Sequence, residues 1–93
     1  MSARNIEEFQ IELDRVVDRL RTMPVTKLPQ AAQLTRPVLS QLAEMAGQLT
    51  PVPDIAERGL GDQCAVLGQE LINSGRPCET AGALLRELRL VLP

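Results

Sequence analysis

The sequence predicts an all-α protein, a compact up-down bundle of four short helices in a single domain that spans residues 1–93. Two observations support this prediction. Apolar residues recur at steps of three and four along most of the chain, which is typical of amphipathic helices. The segments between these runs contain Pro or Gly, and none alternates apolar and polar residues like a strand. Because short connections place consecutive helices side by side, we expect an up-down order.

The composition agrees with a small helical core. The chain has 93 residues, of which 44% are hydrophobic, and its only aromatic residue is Phe9. A core of Leu, Val, Ile, Ala and Met suits helix packing, whereas sheets favour aromatic and β-branched residues. The formal net charge is −2 and like charges do not cluster, so no overall field draws the protein to nucleic acid or anionic lipid.

The first predicted helix covers approximately residues 5–22. Asn5 with Glu8 three residues later forms the pattern of a capping box. One face of this helix then carries apolar residues at alternating steps of three and four, the strongest local signal in the chain. This face is either part of the core or a seam shared with a partner, and both alternatives stay open. The first-helix stripe consists of Ile6, Phe9, Leu13, Val16, Val17 and Leu20.

The second predicted helix covers approximately residues 29–49 and begins at Pro29, a residue suited to a first helical turn. Pro37 lies in its middle, where it removes one backbone hydrogen bond and crowds the preceding turn. Because the apolar stripe keeps its phase across Pro37, we predict a kinked helix or two nearly coaxial ones. The alternative is a new helix capped by Thr35, which would give a bundle of five helices.

The third predicted helix covers approximately residues 54–74. Asp54 with Glu57 forms a second capping-box pattern at its start. The Gly59–Gly61 segment is a weak point, since each glycine costs about 1 kcal/mol relative to alanine in a helix. Asp62 could cap a new helix after this weak point, which is another route to five helices.

The fourth predicted helix covers approximately residues 77–92. Gly75 has the place of the residue that ends the preceding helix, and Pro77 is predicted to occupy the first helical position.

The two cysteines are the only candidates for nucleophilic chemistry. Cys78 lies in the first turn of the fourth helix, where the helix dipole lowers a thiol pKa, so it is the candidate reactive thiol. The alternative is a small apolar residue that closes one end of the core, and the neighbouring Glu79 opposes a thiolate. An antiparallel arrangement of the last two helices places Cys64 too far from Cys78 for a disulfide.

Carboxylates of the first helix raise the question of a metal site. Glu8 and Glu12, like Asp14 and Asp18, share a helix face, as in helical di-metal proteins. Those sites also use histidine, and the sequence has none. We therefore expect a solvated, salt-bridged face, with no metal, no cofactor and no catalytic residue.

These observations favour a non-catalytic protein–protein interaction module that acts through an apolar helix face and binds a protein partner or a second copy of itself. The alternative is a helix-turn-helix regulator that uses Arg86 and Arg89, although the acidic residues among them argue against nucleic acid. A thiol-dependent enzyme built on Cys78 is the third reading. Apolar runs are far shorter than the ~20 residues of a membrane span. No apolar leader segment is evident, so the cytoplasm is expected, with leaderless export left open.

Overall fold

A computed structural model describes residues 3–93, with the side chains of residues 5–93, and the described chain forms four α-helices without strands. The prediction of an all-α helical bundle is confirmed. Short 3-10 helices at Val25–Lys27 and Glu57–Gly59 lead into the second and third helices. The α-helices are α1 (Ala3–Thr22), α2 (Leu28–Met45), α3 (Leu60–Asn73) and α4 (Glu79–Val91).

Helix α1 begins earlier than the predicted capping box. It starts at Ala3, so Asn5 already lies inside the helix and the prediction that Asn5 caps it is wrong. The Asn5 side-chain amide instead donates a hydrogen bond to the Glu79 carboxylate at 2.8 Å. The Asn5 side chain thus bonds α4 and does not cap its own helix. The helix ends at Thr22, as expected from Pro24, which disfavours helical geometry at the residue before it.

Helix α2 continues through Pro37 as one α-helix, so the alternative of a new helix capped by Thr35 is wrong. Pro37 lies on the exposed side of the helix, where water can compensate for the lost hydrogen bond. Thr35 is fully buried inside the bundle. Pro29 lies in the first turn, where the missing N–H has no cost.

The predicted end of the second helix near residue 49 is wrong, because α2 ends at Met45. Gly47 adopts a positive φ of 86°, a conformation that glycine reaches without strain. The N–H of Gly47 donates to the carbonyl of Glu44, and the N–H of Gln48 donates to that of Ala43, both at 3.0 Å. These two bonds form a Schellman motif that satisfies the last carbonyls of the helix.

The start predicted for the third helix at Asp54 is also wrong, because α3 begins at Leu60. The Asp54 carboxylate accepts a hydrogen bond from Arg36 of α2 at 3.0 Å and therefore does not cap a helix. The Gly59–Gly61 segment is the beginning of α3 rather than a weak point within it. The chain before it, from Pro51 to Ala56, has no regular secondary structure.

Gly75 ends α3 as predicted, with a positive φ of 74°. The fourth helix begins at Glu79, after Cys78, so the prediction that Pro77 is its first residue is wrong. The carbonyl of Cys78 accepts the first helical hydrogen bond, from the N–H of Gly82 at 2.8 Å.

Hydrogen bonds between the helices show the relative directions in which they run. Asn5 bonds Glu79 near the starts of α1 and α4, and Arg19 donates to the carbonyl of Leu92 near their ends, so these two helices run parallel. Arg21, at the end of α1, binds Asp62 near the start of α3, so α3 runs antiparallel to α1.

The bundle departs from the expected up-down order in its connections. Gln48, just after α2, donates a hydrogen bond to Glu70 near the end of α3, so α2 and α3 run in the same direction. The order is therefore up, down, down, up. Residues 46–56, which connect α2 to α3, lead the chain back to the end of the bundle where α2 begins, so that α3 can run in the same direction as α2. As a result α1 and α2 each pack against α3 and α4, whereas α1 packs little against α2, and α3 packs little against α4.

One core runs through the bundle and receives side chains from every helix. Among its members, the largest side chains without solvent exposure are Phe9, Leu39, Leu42, Leu60, Leu71 and Leu85.

Replacing Thr35 by Val is expected to stabilise the protein. The Thr35 hydroxyl is fully buried and has no hydrogen-bond partner within the described chain. Val has nearly the same shape without the polar atom, so T35V should raise the free energy of unfolding by about 1 kcal/mol. Urea denaturation measures this change, with T26V at an exposed threonine as the control. A loss of stability would show that the hydroxyl is hydrogen-bonded, for example to an internal water.

Candidate functional site

The first-helix stripe lies inside the protein's own core. Phe9 and Val16 have no solvent exposure, and Leu13, Val17 and Leu20 are buried as well. The remaining stripe residue, Ile6, is half-buried and packs against the same core. Helix α1 packs against both α3 and α4, and these contacts bury five of the six stripe residues. Of the two alternatives for the stripe, the structure therefore selects the core.

The candidate reactive thiol, Cys78, is buried, and its Sγ lies 3.7 Å from the carbonyl oxygen of Arg76. Burial raises the pKa of Cys78, whereas a reactive thiol needs the lowered pKa that a helix N-terminus favours. Burial also raises the pKa of Cys64 to about 12. Both cysteines are free. Neither thiol is thus prepared to act as a nucleophile at neutral pH.

Two of the exposed apolar residues share a different surface. Ile11 of α1 is 50% exposed and Leu90 of α4 is 66% exposed, and both line one groove between these helices. We call this surface the α1–α4 face. Neither residue was a candidate from the sequence, because both lie off the apolar stripes that mark the core. The α1–α4 face comprises Ile11, Arg15, Glu79, Gly82, Ala83, Arg86 and Leu90.

The floor of the groove is formed by backbone. Gly82 has no side chain, and a Cβ built on it would lie 3.9 Å from the Cα of Phe9. The Phe9 ring is turned into the core and does not fill the groove. Next to Gly82, Ala83 contributes only a methyl group. A partner's side chain or backbone can therefore approach α1 and α4 closely at this point.

Polar contacts between α1 and α4 cross the groove at two levels. Asn5 and Glu79 are hydrogen-bonded near the N-terminal ends of both helices. Further along, the Arg89 guanidinium donates two hydrogen bonds to the Glu12 carboxylate, from Nε to Oε2 at 2.8 Å and from Nη2 to Oε1 at 3.2 Å. This two-bond geometry fixes both side chains and holds the two helices together.

Three arginines act on Glu12. Besides Arg89, Nη1 of Arg15 lies 3.6 Å from Oε1, and Arg86 adds a further positive charge. The hydrogen bonds from Arg89 and these charges hold the pKa of Glu12 below its usual value of 4.5, although burial opposes them. This end of the face is therefore basic, whereas Glu79 makes the other end acidic.

Replacing Glu12 by Gln is expected to lower the Tm at pH 7 and to have less effect in acid. In the unfolded chain the Glu12 carboxylate takes up a proton near pH 4.5, whereas in the folded protein it does so only at lower pH. Because the unfolded state binds more protons in this range, the stabilisation by Glu12 is lost as the pH falls below about 5.

Thermal unfolding between pH 7 and pH 3 checks this prediction. The Tm difference between wild type and E12Q should shrink with falling pH. The control is E44Q, which alters an exposed carboxylate without an ion pair in the described chain and should leave the Tm unchanged. A difference of constant size from pH 7 to pH 3 would contradict the prediction.

The described residues offer neither a metal site nor a membrane span. Across residues 3–93, no group of three or more Cys, Asp or Glu residues could hold a metal ion. Within the same range, no helix is long and apolar enough to cross a bilayer.

The fold and the site define an all-α four-helix bundle with an open groove between two parallel helices. Comparisons with protein-family models, with curated proteins and with solved structures found no significant match to this chain.

Proposed function

We propose that this chain is a non-catalytic protein–protein interaction module that binds its partner through the α1–α4 face. The observation that supports the proposal is the exposure of Ile11 and Leu90 beside a groove with a backbone floor. The first-helix stripe is occupied by the core and does not provide this surface. Exposed apolar side chains that flank a groove are typical of surfaces that bind an amphipathic helix.

The chemistry of the face supports the same proposal. Gly82 and Ala83 admit a partner to the backbone, Ile11 and Leu90 offer apolar contact, and charged residues, including Glu8 and Arg86, line the rest of the groove. An apolar centre with a charged rim is the usual arrangement of a protein interface, in which the charges set orientation and exclude wrong partners.

The alternative functions receive less support from the described residues. A helix-turn-helix unit needs two consecutive helices that pack together, and α3 and α4 contact each other little. Arg89, one of its two candidate base-contacting residues, is held by Glu12. A thiol enzyme would need an activated cysteine, whereas burial raises the pKa of Cys78. The two free cysteines are consistent with a reducing compartment, and we propose the cytoplasm.

A photo-crosslinking amino acid at position 83 tests the proposal in cells that express the chain. Position 83 lies on the α1–α4 face, and position 69, an exposed residue of α3, is the matched control. We expect a crosslinked protein with the probe at position 83 and none with the probe at position 69. The crosslink should disappear when Leu90 is replaced by Glu. Equal crosslinking at both positions, or none at either, would overturn the proposal.

A further inference from the structure

We propose that the partner of the α1–α4 face is a second copy of this chain, which packs α4 against α4 in antiparallel orientation about a two-fold axis. This inference rests on the proposed function and names its partner. Its basis is the order of the charged and small residues along α4. The exposed or half-exposed residues of this order are Glu79, Gly82, Ala83, Arg86 and Leu90.

The charges of α4 are complementary to themselves. Glu79 and Arg86 lie on the same face of the helix, two turns or about 10 Å apart. A two-fold axis that crosses α4 midway between them places Glu79 of each copy opposite Arg86 of the other. An isologous interface makes every such contact twice. Arg86 makes no ion pair within the described chain, although its charge contributes to lowering the pKa of Glu12, so its guanidinium is available for this contact.

The same axis passes over the smallest side chains of α4 on this face. Midway between Glu79 and Arg86 lie Gly82 and Ala83, where the side chains are a hydrogen atom and a methyl group. Two helices can approach most closely where such small residues meet, and close approach gains dispersion energy along both helices. The position that the charges select is thus also the position that the packing allows.

Two contacts farther from the axis, those of Glu87 and Leu90, agree with this arrangement. Glu87 comes to lie near the N-terminal end of the other copy's α4, where the helix dipole favours a negative charge. Leu90 reaches the turn that precedes that helix, where Pro77 is exposed. Glu8 opposes the arrangement, since it lies close to the axis on α1 and approaches its own copy.

The size of the face predicts a weak dimer. The 13 residues of α4 span about 20 Å, and two neighbouring helices are about 20 Å wide, so each copy buries about 400 Å² of projected area. The total lies below the roughly 1,200 Å² that stable complexes bury. We therefore expect a dissociation constant in the micromolar range or above, and the mass should depend on concentration.

Light scattering of the purified protein between about 10 μM and 1 mM tests self-association first. We expect the mean mass to rise from that of a monomer toward that of a dimer. Replacing Leu90 by Glu should weaken the association at least tenfold, whereas V66E, at an exposed apolar residue of α3, should not. A monomer at every concentration, or an equal loss in both variants, would overturn the inference.

Charge reversal then tests the antiparallel register. Glu79→Arg alone and Arg86→Glu alone each place like charges opposite one another twice, so both variants should dimerise at least tenfold more weakly. Mixing the two variants pairs opposite charges at both places and should yield a heterodimer, which native mass spectrometry separates from the homodimers. Charge reversals outside the face, Glu44→Arg and Arg58→Glu, are the controls. Failure of the mixture to associate better than its components would overturn the proposed register.

The two tests separate the two proposals. A monomeric purified protein that still gives a crosslink from position 83 would overturn self-association and support binding of a different protein at the same face. A dimer that is insensitive to L90E, together with no crosslink from position 83, would overturn both.

Discussion

Replacing Leu13 by Asp is expected to unfold the protein. Leu13 is 3% exposed, lies in the middle of the first-helix stripe and covers Gly68 of α3. The substitution removes a large apolar side chain and buries a carboxylate without a cationic partner. Together these effects cost about 5–10 kcal/mol, which is 2–5 for the lost side chain and 3–5 for the unpaired buried charge. A domain of this size has a total stability of roughly 5–14 kcal/mol, so L13D should lose most or all of its helical signal.

Circular dichroism and urea denaturation check this result against a matched control. Ile11 lies on the same helix and is 50% exposed, so I11D introduces the same charge where water can solvate it. We expect I11D to keep its fold and to change the free energy of unfolding by no more than about 0.5 kcal/mol. An L13D protein that unfolds at the same urea concentration as wild type would show that the first-helix stripe is not part of the core.

Replacing Gly68 by Ala and Gly82 by Ala is expected to change stability in opposite directions. Both glycines lie within helices, so alanine should gain about 1 kcal/mol of helix propensity at either position. At Gly82 the new Cβ would meet its nearest atom at 3.9 Å, which is ordinary contact. G82A should therefore raise the free energy of unfolding by up to about 1 kcal/mol.

At Gly68 the neighbouring atoms make the change in the free energy of unfolding a loss. A Cβ there would lie 2.5 and 2.6 Å from the Cδ atoms of Leu13 and 3.1 Å from its Cγ. Leu13 is enclosed by the core and has little room to move, so overpacking should cost about 1–3 kcal/mol. We expect G68A to be less stable than wild type by up to about 2 kcal/mol after the gain in propensity.

Urea denaturation of both variants measures these changes side by side. Stabilisation by both substitutions would show that α1 and α3 are not in close contact at Gly68. An effect of G82A on self-association without a loss of stability would locate Gly82 at the dimer interface.

The close packing of α1 and α3 depends on two glycines. Gly68 receives Leu13, and a Cβ on Gly61 would lie 2.8 Å from Cγ of Arg21 and 3.3 Å from the carbonyl oxygen of Val17. The two glycines are seven residues apart in sequence and so lie on the same face of α3. From the sequence alone, Gly61 was predicted only to weaken a helix. Its role in the close packing of α1 and α3 can be predicted only when it is known that α1 lies opposite this face of α3.

Helix ends show the same division between local and distant causes. Gly75 ended α3 as predicted, because a glycine with positive φ acts through its own turn. Gly47 does the same for α2 and was detectable in principle from the sequence. The capping boxes at Asn5 and Asp54 were wrong, because both side chains bind distant residues, Glu79 and Arg36. Local patterns cannot show that such a competing partner exists.

The sequence by itself determined the helical class and the presence of four helices, because apolar periodicity and the prolines and glycines between helices act over a few residues. The tertiary structure decided the rest. It made the first-helix stripe a core element, raised the pKa of Cys78 through burial and brought Ile11 and Leu90 to one groove. It also set the helix order, because the extended residues after Gly47 return the chain along the bundle. These features depend on which helices become neighbours, and that choice is made by packing between distant parts of the chain.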